Sequence, residues 1–253
     1  MHQHERHNLI VSRARAATRI EVSALAEEMD VTPETVRRDL TVLERRGLVR
    51  RVHGGAVAVE RLGFEPTLDV RSGHRAADKQ RIAQAALAFV PEAGTILLDA
   101  GTTTIGVAEG LPREGELNVL TNSLPVAAVI ARRPDLSLFV LGGRVRSRTQ
   151  ATIGSWGLGP LRDVHIDVAF IGTNGLSLTA GLTTPDQAEA ATKQAMMAAA
   201  AQVVVLADSS KVGAAHFAKF GSLADIDVLI TDSGIDPEVL DEIRATGPEV
   251  VLT

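Results

Sequence analysis

Apolar residues change their spacing twice along this chain. Between residues 6 and 16, Leu9, Ile10 and Ala14 recur at helical intervals, and "TRIEV" then alternates as a short strand. "SALAEEMD" returns to helical spacing, with Leu25, Ala26 and Met29 on one face and Ser23 in the N-cap position. "VTPETVRRDLTVLERRGLV" predicts a third helix: Thr32 stands where a hydroxyl accepts from the first turn, Pro33 where no N–H is needed, and Gly47 where the helix stops. Val36, Leu40 and Leu43 lie four and three apart and turn inward, leaving Thr35, Arg37, Arg38 and Thr41 outward. "LVRRVHGGAV" then reads as two short strands with Gly54 and Gly55 at their turn or exit.

Residues 58–75 lose this periodicity and mix Gly, Pro and charges, which predicts a linker. From residue 76 to 253 apolar runs alternate with helical stretches. Helix-like "KQRIAQAALAFV" precedes the strand "TILLDA", a helix over 102–111, the strand "LNVLTN", the helix "LPVAAVIAR" and the strand "LSLFVLGG". A strand over 167–171, an Ala-rich helix from Asp186 to Ala201, and the strands "QVVVLAD", "DVLITD" and "EVVL" follow. Strands that are apolar throughout, separated by helices, predict an α/β domain whose mostly parallel sheet is buried on both faces.

Composition narrows the classes. Hydrophobic residues make up 45% and charged residues 23%, as in folded soluble chains, and no segment approaches the roughly 20 apolar residues of a membrane span. There is no Cys, hence no disulfide or thiolate metal site, and the first residues lack the apolar core of a secretion signal. The cytoplasm is the expected compartment. Net charge is −5, yet residues 35–53 carry six Arg against Asp39 and Glu44, while all four Lys lie beyond them. Arg suits phosphates and base edges, so the third helix reads as the second helix of a helix-turn-helix and the two strands as a wing, with Arg50, Arg51 and His53 near a phosphate backbone. The plainer alternative is a solvated Arg-rich helix.

In the second domain, ligands are expected beyond the carboxyl ends of the parallel strands. Four such ends are polar: Asp99, Gly101, Thr102, Thr103 and Thr104 in "DAGTTT"; Thr121, Asn122 and Ser123 in "TNS"; Thr173 and Asn174 in "GTNG"; and Asp208 and Lys211 in "ADSSK". Hydroxyls and free N–H groups at a helix start suit a phosphate, although one such turn is often only an N-cap. Gly142 and Gly143 in "LGGR" form a β-turn or let a ligand approach the backbone. Neither a P-loop nor a dinucleotide fingerprint is present, so no cofactor is expected. His2, His4 and His7 offer at most an adventitious metal site near a terminus, so no metal is expected either, and Trp156 reads as a packing or oligomer-surface residue.

"VTPETVRRDLTVLERRGLVRRVHGGAV" resembles the N-terminal signature of the DeoR family of bacterial transcriptional regulators, and Lys79 to Thr253 resembles that family's sensor domain. The resemblance implies a winged helix-turn-helix over 1–57 and a sugar-phosphate-sensing domain over 76–253, folded like ribose-5-phosphate isomerase and the coenzyme A transferases. It implies that Thr32, Thr35, Arg37 and Arg38 belong to the recognition helix and Arg51 and His53 to the wing. It further implies that "DAGTTT" is a phosphate loop and Lys211 a second contact. Lys79, expected just before the first helix of the second domain, is in reach of the same phosphate. The isomerases place an Asp-Gly-Ala-Asp turn where this chain has "GTNG"; Thr173 and Asn174 can bond a sugar but cannot move a proton between carbons. Glu189 has Lys193 one helical turn on as a partner. The expectation is therefore a non-enzymatic regulator, a repressor of sugar-metabolism genes, that binds operator DNA as a homo-oligomer, dimer or tetramer, and responds to a phosphorylated sugar. Fructose 1-phosphate stands first among hexose, pentose and polyol phosphates, though no residue singles it out. The rivals are an isomerase-like enzyme with a tethered DNA module and a DNA-binding structural protein without a ligand.

Overall fold

The computed structural model describes residues 3–17, 19–45, 48–52, 54–58, 65–113 and 115–253. The chain divides into two compact units between Arg61 and Leu62.

The first unit runs α1 (Gln3–Ala16), β1 (Ile20–Glu21), α2 (Val22–Glu28), α3 (Pro33–Arg45), β2 (Val49–Val52) and β3 (Gly55–Ala58). Ile10, Leu25, Val36, Leu40, Leu43 and Val49 close its core, so the inward face of α3 is the one the spacing predicts. The strands form an antiparallel sheet in the order β1-β3-β2. Gly55 is needed there, because a Cβ would lie 1.9 Å from the Ile20 carbonyl oxygen of the neighbouring strand. Ser23 is not the cap of α2. The helix starts at Val22, whose N–H donates to the Gly54 carbonyl at 3.0 Å, so the wing supplies the acceptor that a capping side chain would give. At α3 the expected cap is present: the Thr35 N–H donates to Thr32 Oγ1 at 3.2 Å. The stop assigned to Gly47 lies outside the described residues.

The second unit opens with α4 (Leu68–Gly73) and α5 (Ala76–Ala86), followed by β4 (Ala93–Leu98), α6 (Thr102–Gly110), β5 (Glu116–Thr121), α7 (Leu124–Ile130), β6 (Ser137–Val140), β7 (Arg144–Arg146) and β8 (Ala151–Ile153). It continues with β9 (Ile166–Gly172), β10 (Gly175–Ser177), β11 (Gly181–Thr184), α8 (Gln187–Ala198), β12 (Ala200–Leu206), β13 (Ala218–Gly221), β14 (Val228–Thr231), α9 (Pro237–Ala245) and β15 (Glu249–Leu252). The main sheet has the order β15-β14-β12-β9-β4-β5-β6 and is parallel throughout. Ile96 and Leu98 pack with Ile82 of α5, Val107 of α6 and Ile130 of α7, whereas Leu97 joins Met196 of α8 and Leu240 of α9. Alternate residues of one strand thus enter two cores, which is why the strands read as unbroken apolar runs.

Three expectations need correction. The segment 58–75 is not linker throughout: α4 forms within it, Glu65 and Leu68 are buried, and both belong to the second unit. The Ala-rich helix ends at Ala198, because Ala200 pairs with Ile166 to start β12, and Ala fits either structure. The small sheet β10-β11-β13, the β7-β8 hairpin and α9 escaped the sequence reading; strands of three or four residues carry no usable period.

Candidate DNA and ligand sites

On the first unit, Arg37 and Arg38 are exposed near the start of α3, and Thr35 and Thr41 are half-buried beside them. The neighbouring side chains hold one another. Thr32 Oγ1 and Thr35 Oγ1 lie 3.0 Å apart, Arg37 pairs with Glu34 at 3.2 Å, and Arg51 donates from its guanidinium to Thr41 Oγ1 at 3.2 Å and from its backbone to Glu44 at 2.9 Å. Arg38 has no hydrogen bond or ion pair among the described residues. The side chain of Arg50 and the whole of His53 lie outside the described residues, so the expected wing contact rests on Arg51. Beneath this surface, the sequence reading missed Asp39: it is buried on the inner side of α3 and bonded to Arg6 Nε at 2.8 Å and His7 Nε2 at 2.9 Å. His7 is therefore a core residue, not part of a loose terminal cluster. Burial opposes the Asp39 charge, but the bonds from Arg6 and His7 outweigh it and hold the carboxyl below its usual value of 3.8.

In the second unit the chain spreads outward from β4 through β5 to β6 on one side, and from β9 through β12 and β14 to β15 on the other. The direction reverses between β4 and β9, and a ligand crevice is expected at that point. The polar strand ends named from sequence follow the four adjacent strands β12, β9, β4 and β5. Asp99 is fully buried; its Oδ2 accepts from the Gly172 N–H at 3.0 Å and from Lys193 Nζ, which also bonds the Gly172 carbonyl at 2.9 Å. Lys193 thus pairs with Asp99 and not with Glu189; Glu189 instead meets Arg146 at 3.2 Å.

The hydroxyls divide into those turned to the protein and those left over. Thr104 donates to the carbonyls of Asp99 and Gly101, Thr121 to that of Leu98, and Thr173 to those of Gly175 and Thr183. Ser123 caps α7 by accepting from Val126. These four hold the strand ends in shape. Gly143 has φ +139°, and a Cβ there would lie 2.6 Å from the Ile153 carbonyl oxygen, so its role is to let β8 approach β7; around Gly142 a Cβ meets nothing. Trp156 is 86% exposed, which rules out the packing role.

Other groups at this edge are unpaired. Gly101 stands in the N-cap position of α6 and no side chain caps the helix, so the N–H groups of Thr102, Thr103 and Thr104 have no acceptor among the described residues. Asp99 Oδ1 and Asn122 Oδ1 are buried without a partner among the described residues, although Asn122 Nδ2 reaches the Thr152 carbonyl at 3.4 Å. Lys211 is half-buried, and its ammonium makes no hydrogen bond or ion pair among the described residues. Burial lowers its pKa, with Arg71 and Arg75 adding to the fall and Asp208 and Glu65 resisting it. Lys79 lies within α5 and not before it. It is buried, donates to the carbonyls of Arg71 and His74, and faces Asp208 at 3.7 Å; burial again pushes its pKa down. Asp208 also accepts from Ser210 N–H at 3.2 Å.

The sequence reading also missed Glu65, Arg71, Arg75, Arg146 and Lys193. Lys193 had a signal, a lysine inside an apolar, Ala-rich helix in a chain with four Lys. The others had none: Arg146 finds Glu65 81 positions away, and Arg71 with Glu65 and Arg75 with Asp78, although close in sequence, look like ordinary surface charges. The remaining expected residue, Asn174, is buried and donates from Nδ2 to Glu65 Oε1 at 2.9 Å.

A winged helix with an exposed Arg pair, followed by a parallel α/β unit with polar strand ends, defines a DNA-binding transcriptional regulator with a sensor domain. A family described as DeoR-like helix-turn-helix domain matches residues 6–61, and one described as DeoR C terminal sensor domain matches residues 74–233. The chain is 39% identical to the transcriptional regulator GlpR of Haloferax volcanii, covering 91% of this chain and 90% of that one. It is 36% identical to the regulator FruR of Bacillus subtilis, over 90% and 91%, and 31% identical to the glycerol-3-phosphate regulon repressor of Escherichia coli, over 92% of each. The chain belongs to the DeoR family of transcriptional regulators. Ribose 5-phosphate isomerase A from Methanocaldococcus jannaschii is similar over 53% of each chain, at 18% identity and a TM-score of 0.39, too distant a likeness to carry function. Among the described residues no helix is long and apolar enough to cross a membrane.

Proposed function

We propose that this regulator is a cytoplasmic repressor of sugar- or polyol-metabolism genes whose grip on its operator changes when a phosphorylated sugar or polyol binds at the strand ends of the second unit. One observation carries the ligand class: unpaired donors and unpaired acceptors occur along the same sheet edge. The free N–H groups of Thr102 to Thr104 and the Lys211 ammonium suit a phosphate, whereas Asp99 Oδ1 and Asn122 Oδ1 suit hydroxyl donors. A phosphorylated polyhydroxy compound satisfies both sets. The names of the relatives agree with this class, since one is the repressor of a glycerol-3-phosphate regulon. The non-enzymatic reading is supported by Glu189, whose buried carboxylate is engaged by Arg146 and Thr184. The regulator acts as a homo-oligomer, because one winged helix reads too few base pairs for a specific operator.

A thermal-shift series with fructose 1-phosphate, fructose 6-phosphate, glycerol 3-phosphate and their unphosphorylated counterparts tests the reading. A true effector at 100 times its dissociation constant adds about 2.7 kcal/mol of stability. Stabilisation by one phosphate ester but not by its parent alcohol is expected, and the same ester should alter binding to an operator selected from a random duplex library. Equal response to both forms, or turnover of the ester, overturns the proposal.

A further inference from the structure

Glu65 is the most deeply buried carboxylate outside the strand-end motifs, with a side chain 0% exposed. Its Oε2 pairs with Arg146 Nη1, its Oε1 accepts from Asn174 Nδ2 at 2.9 Å and lies 3.5 Å from Arg71, and its backbone carbonyl accepts from Arg148. Arg146 is itself surrounded by acids, meeting Asp186 at 3.3 Å and Glu189 at 3.2 Å. Three carboxylates, those of Glu65, Asp186 and Glu189, thus share the Arg146 guanidinium, and Arg71 is a second cation at Glu65. At Glu189 burial raises the carboxyl pKa; Lys193 and Arg146 resist the rise, and the Glu65 and Asp99 charges add to it. Asn174 belongs to the polar strand ends, so Glu65 occupies a group that the sequence reading assigned to the ligand.

Glu65 also differs from Asp186 and Glu189 in its attachment. Those two sit at the start of α8, whose cap Asp186 forms by accepting from the Glu189 N–H at 2.9 Å. Glu65 precedes the six-residue helix α4 and stands seven positions after Ala58, the last residue of β3. Of the three acids it is the one that can leave without unwinding an element of the main fold.

We infer that the Glu65 carboxylate holds an anion seat formed by Arg146, Arg71 and Asn174 in the unliganded chain, and that the anionic group of the effector displaces it. This rests on the reading of the strand ends as the site for a phosphorylated ligand: the phosphate drawn there by Lys211 and the α6 N–H groups is the group that competes with Glu65 for Arg71 and Arg146. Glu65 acts as an internal competitor: it occupies the Nη1 side of Arg146 while the site is empty and sets the ligand concentration needed to open it. The apparent affinity of such a site is reduced by the fraction of molecules in which the seat is free.

The test uses the full chain with two probes, inorganic phosphate and fructose 1-phosphate, titrated calorimetrically at low ionic strength. Glu65→Gln keeps the shape and an oxygen for Asn174 but removes the charge. If the seat is free in about a tenth of the molecules, this variant binds each anion roughly tenfold more tightly than the parent, and Arg146→Gln loses that affinity. In the unaltered chain, amide hydrogen exchange over residues 65–73 rises when either anion saturates, which decides the question even if Glu65→Gln folds poorly. Equal affinities in parent and Glu65→Gln, or undiminished protection of residues 65–73 at saturation, overturn the displacement while leaving the ligand site in place. If neither anion binds to any of the chains, the seat is no anion site and the displacement fails, while the ester series of the proposed function decides the reading of the strand ends separately.

Discussion

Lys193 and Asp99 stand 94 positions apart and form an ion pair in which both side chains are almost wholly buried. The ammonium is shared with the Gly172 carbonyl at 2.9 Å and lies 5.5 Å from the centre of the Phe220 ring. One lysine therefore ties α8 to the ends of β4 and β9. Lys193→Met leaves the Asp99 carboxylate buried without its cation and should destabilise the second unit by about 3–5 kcal/mol. Adding Asp99→Asn should recover part of that loss, a non-additivity that denaturant unfolding of the single and double variants measures directly.

Asp39 makes the first unit sensitive to acid. Its folded pKa lies below the unfolded value, so its contribution to stability is complete above that value, near 4, and disappears as pH falls through the folded pKa. Asp39→Asn should weaken the winged helix at neutral pH and flatten its stability profile below about pH 4. Circular dichroism melts of the full chain across pH 2.5–7 should show this, with parent and variant converging at the acid end.

Arg38 and Arg51 should fail differently on DNA. Arg38 is exposed on α3 and has no partner among the described residues, and Arg38→Ala should cost about 1–3 kcal/mol at one operator base pair if it forks onto a guanine. Arg51 is braced by Thr41 and Glu44, as suits a phosphate contact, and Arg51→Ala should weaken all sequences alike and lower the salt slope by about one. Anisotropy titrations at several salt concentrations, on operator and scrambled duplexes, separate the two roles. Parent-like affinity in both variants removes the assignment.

Lys211 should be a residue the unliganded fold does better without. A lysine whose folded pKa is depressed subtracts stability at every pH below that folded pKa, and the deficit fades only as pH rises through it toward the ordinary value near 10.4. Lys211→Met should therefore melt at or above the parent temperature at pH 7 and still bind operator, while losing the response to the phosphate ester. A variant that loses stability and DNA binding together would make Lys211 a structural residue.

Assembly is the simplest to check. Light scattering on the free chain and on its operator complex should give at least a dimer. Phe139 and Val140, 53% and 47% exposed on the edge strand β6, are residues to change to Lys if the interface uses that edge.

The sequence by itself determined the elements with long periods and marked ends. Val36, Leu40 and Leu43 set the buried face of α3, Thr32 and Pro33 set its start, and apolar runs such as Ile96 to Leu98 announced a sheet covered on both sides. Those signals are local: a cap, a helical repeat and a strand each involve residues within a few positions of one another. Polar strand ends are legible for the same reason, so Asp99, Thr102, Asn122 and Asn174 stand out in the sequence alone. Their division into groups that brace the site and groups left unpaired was decided only by tertiary contact. Thr104, Thr121 and Thr173 donate their hydroxyls to backbone carbonyls, while Asp99 Oδ1 and Asn122 Oδ1 meet no donor among the described residues. Likewise Glu65 reads as an acid in a linker, and the one nearby partner that it has among the described residues, Arg71, looks in sequence like an ordinary surface charge. Its burial depends on Arg146 and Asn174, 81 and 109 positions away. A buried charge is tolerated only where the folded chain brings its partners to it.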